Sequence, residues 1–259
     1  MERVLVSWSG GKDSAMALYE TLKGGRHEVV ALLTTMTQDY DRISMHGVRS
    51  SLLRHQAESL GLKSEVVFIT KNASNEEYES SMGKTLSAYR KEGVSSVVFG
   101  DIFLQDLRKY REEKLSIANM NCFFPIWNIE TKQLARTFIA AGFKAVTTCV
   151  DTNALGKEFV GREINEGFLS ALPKGVDPCG ENGEYHSFVY DGPIFKKPIP
   201  FSLGEKVLRE NRFYFCDLID GQTVTIQLLW RVGGSSGRPS KTLLRASITE
   251  MPCFLTVEM

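Results

Sequence analysis

Short apolar runs rich in β-branched residues alternate along this chain with longer segments whose apolar residues recur every three or four positions. The short runs predict buried strands at residues 4–8, 29–34, 65–69, 94–99, 122–125 and 144–150. The longer segments predict amphipathic helices at residues 14–22, 47–60, 75–92, 107–119 and 131–141. Such alternation is typical of βαβ units. We therefore expect an α/β domain over residues 1–150, with a mostly parallel sheet covered by helices on both faces.

The pattern changes in the second half of the chain. A helical segment at residues 156–169 precedes a loop rich in glycine and proline, and short strands are expected at residues 185–190 and 213–219. These features predict a smaller α+β lobe over residues 151–220. Residues 221–259 form a C-terminal extension with an apolar run and a glycine–serine linker, and the pattern assigns it no role.

Composition excludes several classes of function. The chain has 259 residues and is 42% hydrophobic, which is sufficient for a large core. Lys+Arg and Asp+Glu balance at 31 each, so nothing in the net charge favours nucleic acid or an anionic membrane as partner. Five scattered cysteines without a C-x-x-C pair disfavour a disulfide framework. With no signal-peptide pattern and no apolar run near the roughly 20 residues that span a bilayer, we expect a cytoplasmic protein. The sequence leaves open whether the protein forms a homodimer.

The first predicted strand leads directly into a glycine turn and then a helical pattern. The residues of this turn are Ser9, Gly10, Gly11, Lys12, Asp13 and Ser14, which we call the phosphate loop. Free amides at the start of a helix, two glycines, two hydroxyls and a lysine together predict a phosphate-binding site. Asp13 fits as a helix cap or as a partner of Mg²⁺. The alternative is an ordinary strand-to-helix turn. The order of residues in this loop differs from the G-x-x-x-x-G-K-[ST] motif of P-loop proteins.

Ligands of doubly wound sheets lie beyond the carboxyl ends of the strands, so residues directly after strands are candidates. Thr34, Thr35 and Met36 follow the second strand, where the backbone could bind the adenine edge and a methionine could stack on the ring. Gly100 and Asp101 close the fourth strand, where a carboxylate could bind Mg²⁺ or a ribose hydroxyl. The alternatives are a loop start and a helix cap.

Three basic residues are further candidates for substrate binding. His46 precedes a predicted helix and could bind a ligand or cap that helix. Arg108 and Arg111 lie in a charged helical segment and could hold a carboxylate or the α-phosphate through two parallel hydrogen bonds. The alternative is that this segment is a solvated helix face.

A second dense cluster of polar residues lies in the loop before the strand at 185–190. Glu181, Asn182 and Gly183 are candidates for binding the substrate. Glu184 and His186 are two residues apart, so a strand would place both side chains on one face. An acid and an imidazole together could position ammonia or accept its proton, and we therefore assign both as catalytic together with Asp13. A capped polar turn is the alternative.

Three segments together resemble the diphthine–ammonia ligase family of N-type ATP pyrophosphatases. They are S-G-G-K-D-S at residues 9–14, G-D-I-F at 100–103 and C-G-E-N-G-E-Y-H-S-F-V-Y-D-G-P at 179–193. The forms of the second and third segments look like a bacterial-type branch. The resemblance covers about residues 1–200 and implies a HUP-type, Rossmann-like domain of the adenine nucleotide α hydrolase kind. It also implies that the smaller lobe over residues 151–220 would bind the acceptor substrate.

That resemblance implies an ATP-dependent carbon–nitrogen ligase. ATP and Mg²⁺ would be bound at the phosphate loop, an acceptor carboxylate, such as one on a protein, would be adenylated with release of pyrophosphate, and ammonia would displace AMP to give an amide. Two other functions share the loop. One is a sensor that binds ATP or AMP without turnover, and the other is a tRNA-modifying ATP pyrophosphatase. Neutral charge and unpaired cysteines disfavour the latter.

Overall fold

A computed structural model describes residues 1–37, 42–43, 47–69 and 75–221 of the chain. Residues 1–220 form one compact unit. His46 and the apolar run at 224–230 lie outside the described residues. Within the described ranges, each helix is too short or too polar to span a bilayer.

The strands and helices follow the predicted order closely. The strands are β1 (Glu2–Ser7), β2 (His27–Thr37), β3 (Arg42–Ile43), β4 (Lys63–Ile69), β5 (Ser96–Val98), β6 (Asn121–Phe123), β7 (Lys144–Asp151), β8 (Tyr185–Asp191), β9 (Phe201–Arg209) and β10 (Phe213–Asp220). The helices are α1 (Lys12–Gly24), α2 (Ser50–Leu60), α3 (Asn75–Lys91), α4 (Gln105–Ile117), α5 (Thr131–Ala140) and α6 (Glu166–Ala171).

The first sheet is parallel and doubly wound. Its strands pair in the order β4-β2-β1-β5-β6, and β3 adds a short antiparallel pairing at the end of β2. The chain leaves β1 and β5 in opposite directions along the sheet, so a crevice opens between their carboxyl ends. The predicted α/β class with a mostly parallel sheet is confirmed.

The two faces of this sheet bury separate clusters of apolar side chains, as the pleat of β1 requires. Val4 and Val6 face α1, α2 and the second half of the chain in the larger cluster. Leu5 lies on the opposite face with Leu86 of α3 and Leu115 of α4. Burial on both faces explains the nearly continuous apolar sequence of β1.

The second sheet is antiparallel, with strands in the order β8-β7-β10-β9. The segment at 144–150 was expected to continue the parallel series, and this is wrong, because it forms β7 between β8 and β10. All of β7 after Lys144 is buried. A fully buried strand lacks the alternation that separates a half-solvated antiparallel strand from a parallel one. Strand β9 escaped prediction because it is mostly exposed on both faces.

Two helix predictions are corrected by glycines in the left-handed region. The helix expected at 156–169 is a 3-10 turn (Lys157–Phe159), an extended segment and α6, and Gly161 with φ +79° interrupts it. Helix α2 begins at Ser50 and not at Gly47, whose φ is +66°. A right-handed helix requires negative φ, so neither glycine can continue one.

Gly100 lies where β5 ends and the start of α1 passes over it. A Cβ at this position would lie 2.7 Å from the carbonyl carbon and 2.8 Å from the carbonyl oxygen of Asp13, and 2.9 Å from the amide of Ser14. These are backbone atoms, so they cannot move without shifting the helix start. Gly100 therefore permits the close approach between β5 and the phosphate loop.

We expect Gly100→Ala to lower the free energy of unfolding by about 1–3 kcal/mol, because the added methyl overpacks against backbone. Gly83→Ala is the matched control, since nothing lies within 4 Å of its Cβ in the interior of α3. It should stabilise the protein by about 0.5–1 kcal/mol through helix propensity. Urea unfolding measures both. A Gly100→Ala protein as stable as the wild type would contradict the close approach.

Candidate functional site

A cavity of about 940 Å³ opens at the carboxyl ends of the parallel strands, at the crevice between β1 and β5. Side chains of the phosphate loop, of the ends of β2 and β5, and of the second half of the chain line it together. Among them are Ser9, Lys12, Asp13, Ser14, Thr35, Asp101, Glu181 and His186. Predicted site residues from four separate parts of the sequence therefore meet at this cavity. A cavity of this size is typical of a small-molecule site.

The phosphate loop is held by its own serines. The Gly11 amide donates to Ser9 Oγ at 3.3 Å, and Ser14 Oγ donates to the Gly11 carbonyl at 2.9 Å. The two hydroxyl oxygens lie 3.2 Å apart. Gly11 is the N-cap of α1 and Gly10 has φ +77°, so the chain turns sharply and aims the start of a 13-residue helix at the cavity. The positive end of that helix favours an anion there.

Lys12 and Asp13 form an ion pair at the cavity wall. Lys12 Nζ lies 2.9 and 2.7 Å from the two Asp13 oxygens, and 5.2 Å from the centre of the Tyr185 ring. Burial lowers the pKa of Lys12, but the Asp13 carboxylate and Tyr185 outweigh it and hold that pKa above its ordinary value. The ammonium therefore stays charged at neutral pH, and an anion can bind to it.

Asp101 and Arg111 form a second ion pair in the cavity. Arg111 Nε lies 2.5 Å and Arg111 Nη2 lies 3.0 Å from the two oxygens of Asp101. The guanidinium also lies 4.3 Å above the centre of the Phe99 ring. Asp101 does not cap the following helix, because Leu104 occupies the N-cap of α4. Asp101 and Arg111, both predicted from the sequence, thus line the cavity and form an ion pair with each other.

Glu181 reaches the cavity from the loop before β8. One of its oxygens accepts a hydrogen bond from the Ile102 amide at 2.8 Å, which ties this loop to the end of β5. Burial raises the pKa of Glu181 to about 7, although the Ile102 amide opposes the shift. The carboxyl group therefore titrates near neutral pH.

His186, the second residue of β8, also lines the cavity. Burial and the neighbouring Lys12 ammonium lower the pKa of His186 to about 4. The imidazole is therefore neutral at pH 7. A neutral imidazole can accept a proton or a hydrogen bond, but it cannot serve as an acid at that pH.

Glu184 does not line the cavity, and its assignment as a catalytic residue beside His186 is corrected. One of its oxygens accepts from the Asp177 amide at 2.9 Å and from Asn182 Nδ2 at 3.1 Å, and the other accepts from the Asn182 amide at 3.0 Å. Strand β8 begins one residue later, at Tyr185, so the alternation of side chains does not extend back to Glu184. Glu184 and Asn182 fold the loop that presents Glu181, and Gly183 contributes backbone to the cavity wall.

Three other predicted contacts are corrected by the direction of the side chains. Met36 is buried in the core and so cannot stack on an adenine, and the Thr34 hydroxyl donates to the Trp8 carbonyl at 2.8 Å. Thr35, between them, lines the cavity as the pleat of β2 requires. Arg108 pairs with Glu112 at 2.7 Å and lies outside the cavity lining.

Sequence reasoning missed several residues at or next to the site, among them Tyr185, Ser187 and Gln56. Tyr185 lies beside Lys12, and the Ser187 hydroxyl accepts a hydrogen bond from the Lys12 amide at 3.2 Å. Both belong to the motif at 179–193, and their place in it was the available signal. Gln56 of α2 contacts the phosphate loop at Gly10, and no motif pointed to it. Cys179 is buried, and burial raises the pKa of its thiol to about 12, which makes it a poor nucleophile.

Among the described residues, no group of three or more His, Cys, Asp or Glu side chains is arranged to bind a metal ion. Mg²⁺ bound to nucleotide phosphates needs only one or two protein carboxylates. Asp13 and Asp101 both line the cavity and supply that type of ligand. The site therefore fits a cation that arrives with a nucleotide.

Glu181→Gln tests the electrostatics of the cavity. The pKa of Glu181 is about 7 in the folded chain against an ordinary value of 4.5, so folding favours its protonated form. Its contribution to stability is fully present below pH 4.5 and is lost as the pH rises to about 7. Glutamine does not titrate and keeps an oxygen for the Ile102 amide.

We expect the free energy of unfolding of Glu181→Gln, relative to wild type, to rise between about pH 4.5 and pH 7 and to level off above. Urea unfolding of both proteins at a series of pH values measures this difference. A difference that stays constant across the range would contradict a buried, titrating Glu181.

Two proteins of known name and one solved structure are similar to this chain. A protein of Rattus norvegicus named diphthine–ammonia ligase is 27% identical over 229 residues, covering 80% of this chain and 85% of its own. The protein of that name from Danio rerio is 27% identical over 236 residues, covering 81% and 90%. A crystal structure of a predicted tRNA methyltransferase subunit from Methanocaldococcus jannaschii aligns at 19% identity with a TM-score of 0.39, over 76% of this chain and 100% of that one.

Two family models match the chain. The model described as the diphthamide synthase N-terminal domain matches residues 2–117. The model described as the diphthamide synthase C-terminal domain matches residues 130–221. Because the two matched ranges together span well over half of the sequence, this chain belongs to the diphthamide synthase family.

Proposed function

We propose that this protein is an ATP-dependent carbon–nitrogen ligase that adenylates a carboxylate and converts it into an amide with ammonia. The observation that carries the proposal is the convergence of the phosphate loop with Glu181 and His186 on one cavity. Relatives that align over about 80% of this chain are named diphthine–ammonia ligase, which supports a carboxylate carried by a protein as the acceptor.

The phosphate loop would hold the β- and γ-phosphates of ATP. Ser9, Lys12 and Ser14, at the start of α1, line the cavity and supply two hydroxyls and an ammonium. These donors stabilise the negative charge that builds on pyrophosphate as it leaves. Thr35 borders the same cavity from the end of β2 and marks the side on which we place the adenine.

Binding the leaving group in this way exposes the α-phosphorus. An oxygen of the acceptor carboxylate forms a bond to that phosphorus while the bond to the β-phosphate oxygen breaks, giving an acyl adenylate and pyrophosphate. Arg111, which lines the cavity, is suited to orient the carboxylate, and Asp101 holds its guanidinium in place. Holding the carboxylate and the α-phosphate in the correct relative position supplies much of the rate acceleration.

Ammonia then attacks the acyl carbon, and AMP departs with the electrons of the carbon–oxygen bond. The attacking nitrogen must lose a proton. His186 is neutral at pH 7 and lines the cavity, which makes it our choice for the group that accepts this proton. Glu181 is suited to bind ammonia or the acceptor. Bound Mg²⁺ would neutralise phosphate charge, and Asp13 is the carboxylate we assign to it.

The products of ATP test the proposal directly. The protein with ATP, Mg²⁺, ammonia and a carboxylate acceptor should form AMP and pyrophosphate in equal amounts, measured by ion-exchange chromatography. Formation of ADP and phosphate would contradict adenylation. Tight ATP binding without AMP, across acceptors that include diphthine-bearing protein, would instead indicate a nucleotide sensor.

Asp13→Asn should reduce AMP formation by about 10²-fold or more, because a neutral amide removes the negative charge that pairs with Lys12 and that we assign to Mg²⁺. Asp106→Asn on the exposed first turn of α4 is the matched control and should keep full activity. Rates of AMP release and melting temperatures are measured for both. Wild-type activity in a folded Asp13→Asn protein would remove Asp13 from the mechanism.

A further inference from the structure

Gln56 is a fully buried polar residue that bonds two distant parts of the chain, the segment at residues 8–10 and strand β8. Its relative exposure is 0%, and it lies in the middle of α2. Its Nε2 donates to the Gly10 carbonyl at 3.0 Å and to the Val189 carbonyl at 2.6 Å, and its Oε1 accepts from Trp8 Nε1 at 2.9 Å. The carboxamide thus uses both of its hydrogens and one oxygen lone pair within the core.

These partners place Gln56 between the phosphate loop and the second sheet. The Gly10 carbonyl accepts a further hydrogen bond from the Val189 amide of β8 at 2.9 Å. Gln56 and Val189 therefore hold the same carbonyl from two sides. A Cβ at Gly10 would lie 2.7 Å from Gln56 Oε1, so the loop and this side chain are in direct contact.

Holding the Gly10 carbonyl also sets the amides that follow it. Gly10 is in the left-handed region, with φ +77°, and the plane of the peptide it shares with Gly11 is fixed once that carbonyl is bound. The amide of Gly11 belongs to this plane, and α1 begins one residue later. The Gly11 amide donates to Ser9 Oγ at 3.3 Å, so a change in the donors to the Gly10 carbonyl shifts this contact and the start of α1, where Lys12 and Asp13 line the cavity.

We propose that Gln56 is a positioning residue, which fixes the phosphate loop in its anion-binding form and makes that form depend on β8 of the second sheet. This inference rests on the proposed function only in taking the phosphates of ATP as the anion. Gln56 is not among the residues that line the cavity, so its effect passes through its partners, Gly10 of the phosphate loop and the cavity-lining Trp8.

Helix α2 supplies a matched control for a merely structural role. Ser59 lies one turn beyond Gln56, is buried, and also bonds the second half of the chain: its hydroxyl donates to the Lys197 carbonyl at 2.6 Å and accepts from the Lys197 amide at 3.0 Å. Among the contacts described for it, none is to the phosphate loop. Ser59→Ala therefore weakens attachment of α2 without touching Gly10.

The first measurement needs no nucleotide. Hydrogen exchange of the amides in residues 9–14 should be about tenfold or more faster in Gln56→Met than in wild type, because one donor to the Gly10 carbonyl is lost. Ser59→Ala should exchange at the wild-type rate there. Gln56→Asn keeps the amide but is one methylene shorter, so it should show the same change if Gln56→Met fails to fold. Unchanged exchange in folded Gln56 variants would overturn the inference.

The second measurement separates loop geometry from general stability. By titration calorimetry, Gln56→Met should weaken binding of ATP by about tenfold and binding of AMP by much less, because only ATP carries the phosphates that we assign to the loop. Ser59→Ala should leave both affinities unchanged. Equal loss for ATP and AMP would overturn the positioning role. A wild-type protein that binds no ATP would contradict the proposed function, while the exchange experiment would still decide the role of Gln56.

Discussion

The carbonyl of Gly10 is the point on which the geometry of the site depends. It accepts one hydrogen bond from β8 and one from α2, so the first loop of the parallel sheet is shaped by residues far along the chain. Leaving this buried carbonyl without donors would cost about 1–3 kcal/mol, which is large against the stability of a domain. The loop therefore takes its anion-binding form only when the two sheets are packed together. Both sheets belong to one compact unit and share the larger apolar cluster.

Paired charges are the second constraint on the cavity. Lys12 is bound by Asp13, and Arg111 is bound by Asp101, so each cation has a carboxylate partner in the protein without ligand. A buried charge without a partner is strongly unfavourable, and these pairs allow two cations to line a partly enclosed cavity. Phosphate or carboxylate groups of a ligand can then bind side-chain cations that are already in place. The aspartates are available to bind a cation that accompanies the ligand. Although the chain has no net charge, the cavity is therefore lined by both positively and negatively charged side chains.

The sequence predicted those parts of the fold and site that depend on local signals. Strand–helix alternation identified β1, β2, β4, β5 and β6, and the glycine turn after β1 identified the phosphate loop, because both depend on neighbouring residues. Local patterns could not assign β7 to the second sheet, since a strand buried along its length looks the same in either pairing. The directions of Glu184 and Met36 depended on where a strand begins and on which face of the sheet is open. Gln56 carried no signal, because its partner Val189 lies 133 residues away.

A crystal structure of this protein with α,β-methylene-ATP and Mg²⁺ tests the account most directly. The account predicts that the β- and γ-phosphates lie within hydrogen-bonding distance of amides in residues 9–14 while Val189 and Gln56 still bind the Gly10 carbonyl. It also predicts that the α-phosphorus faces the part of the cavity lined by Glu181 and His186. Phosphates bound elsewhere, or bound at the loop only after the Gly10 carbonyl has separated from both donors, would contradict it.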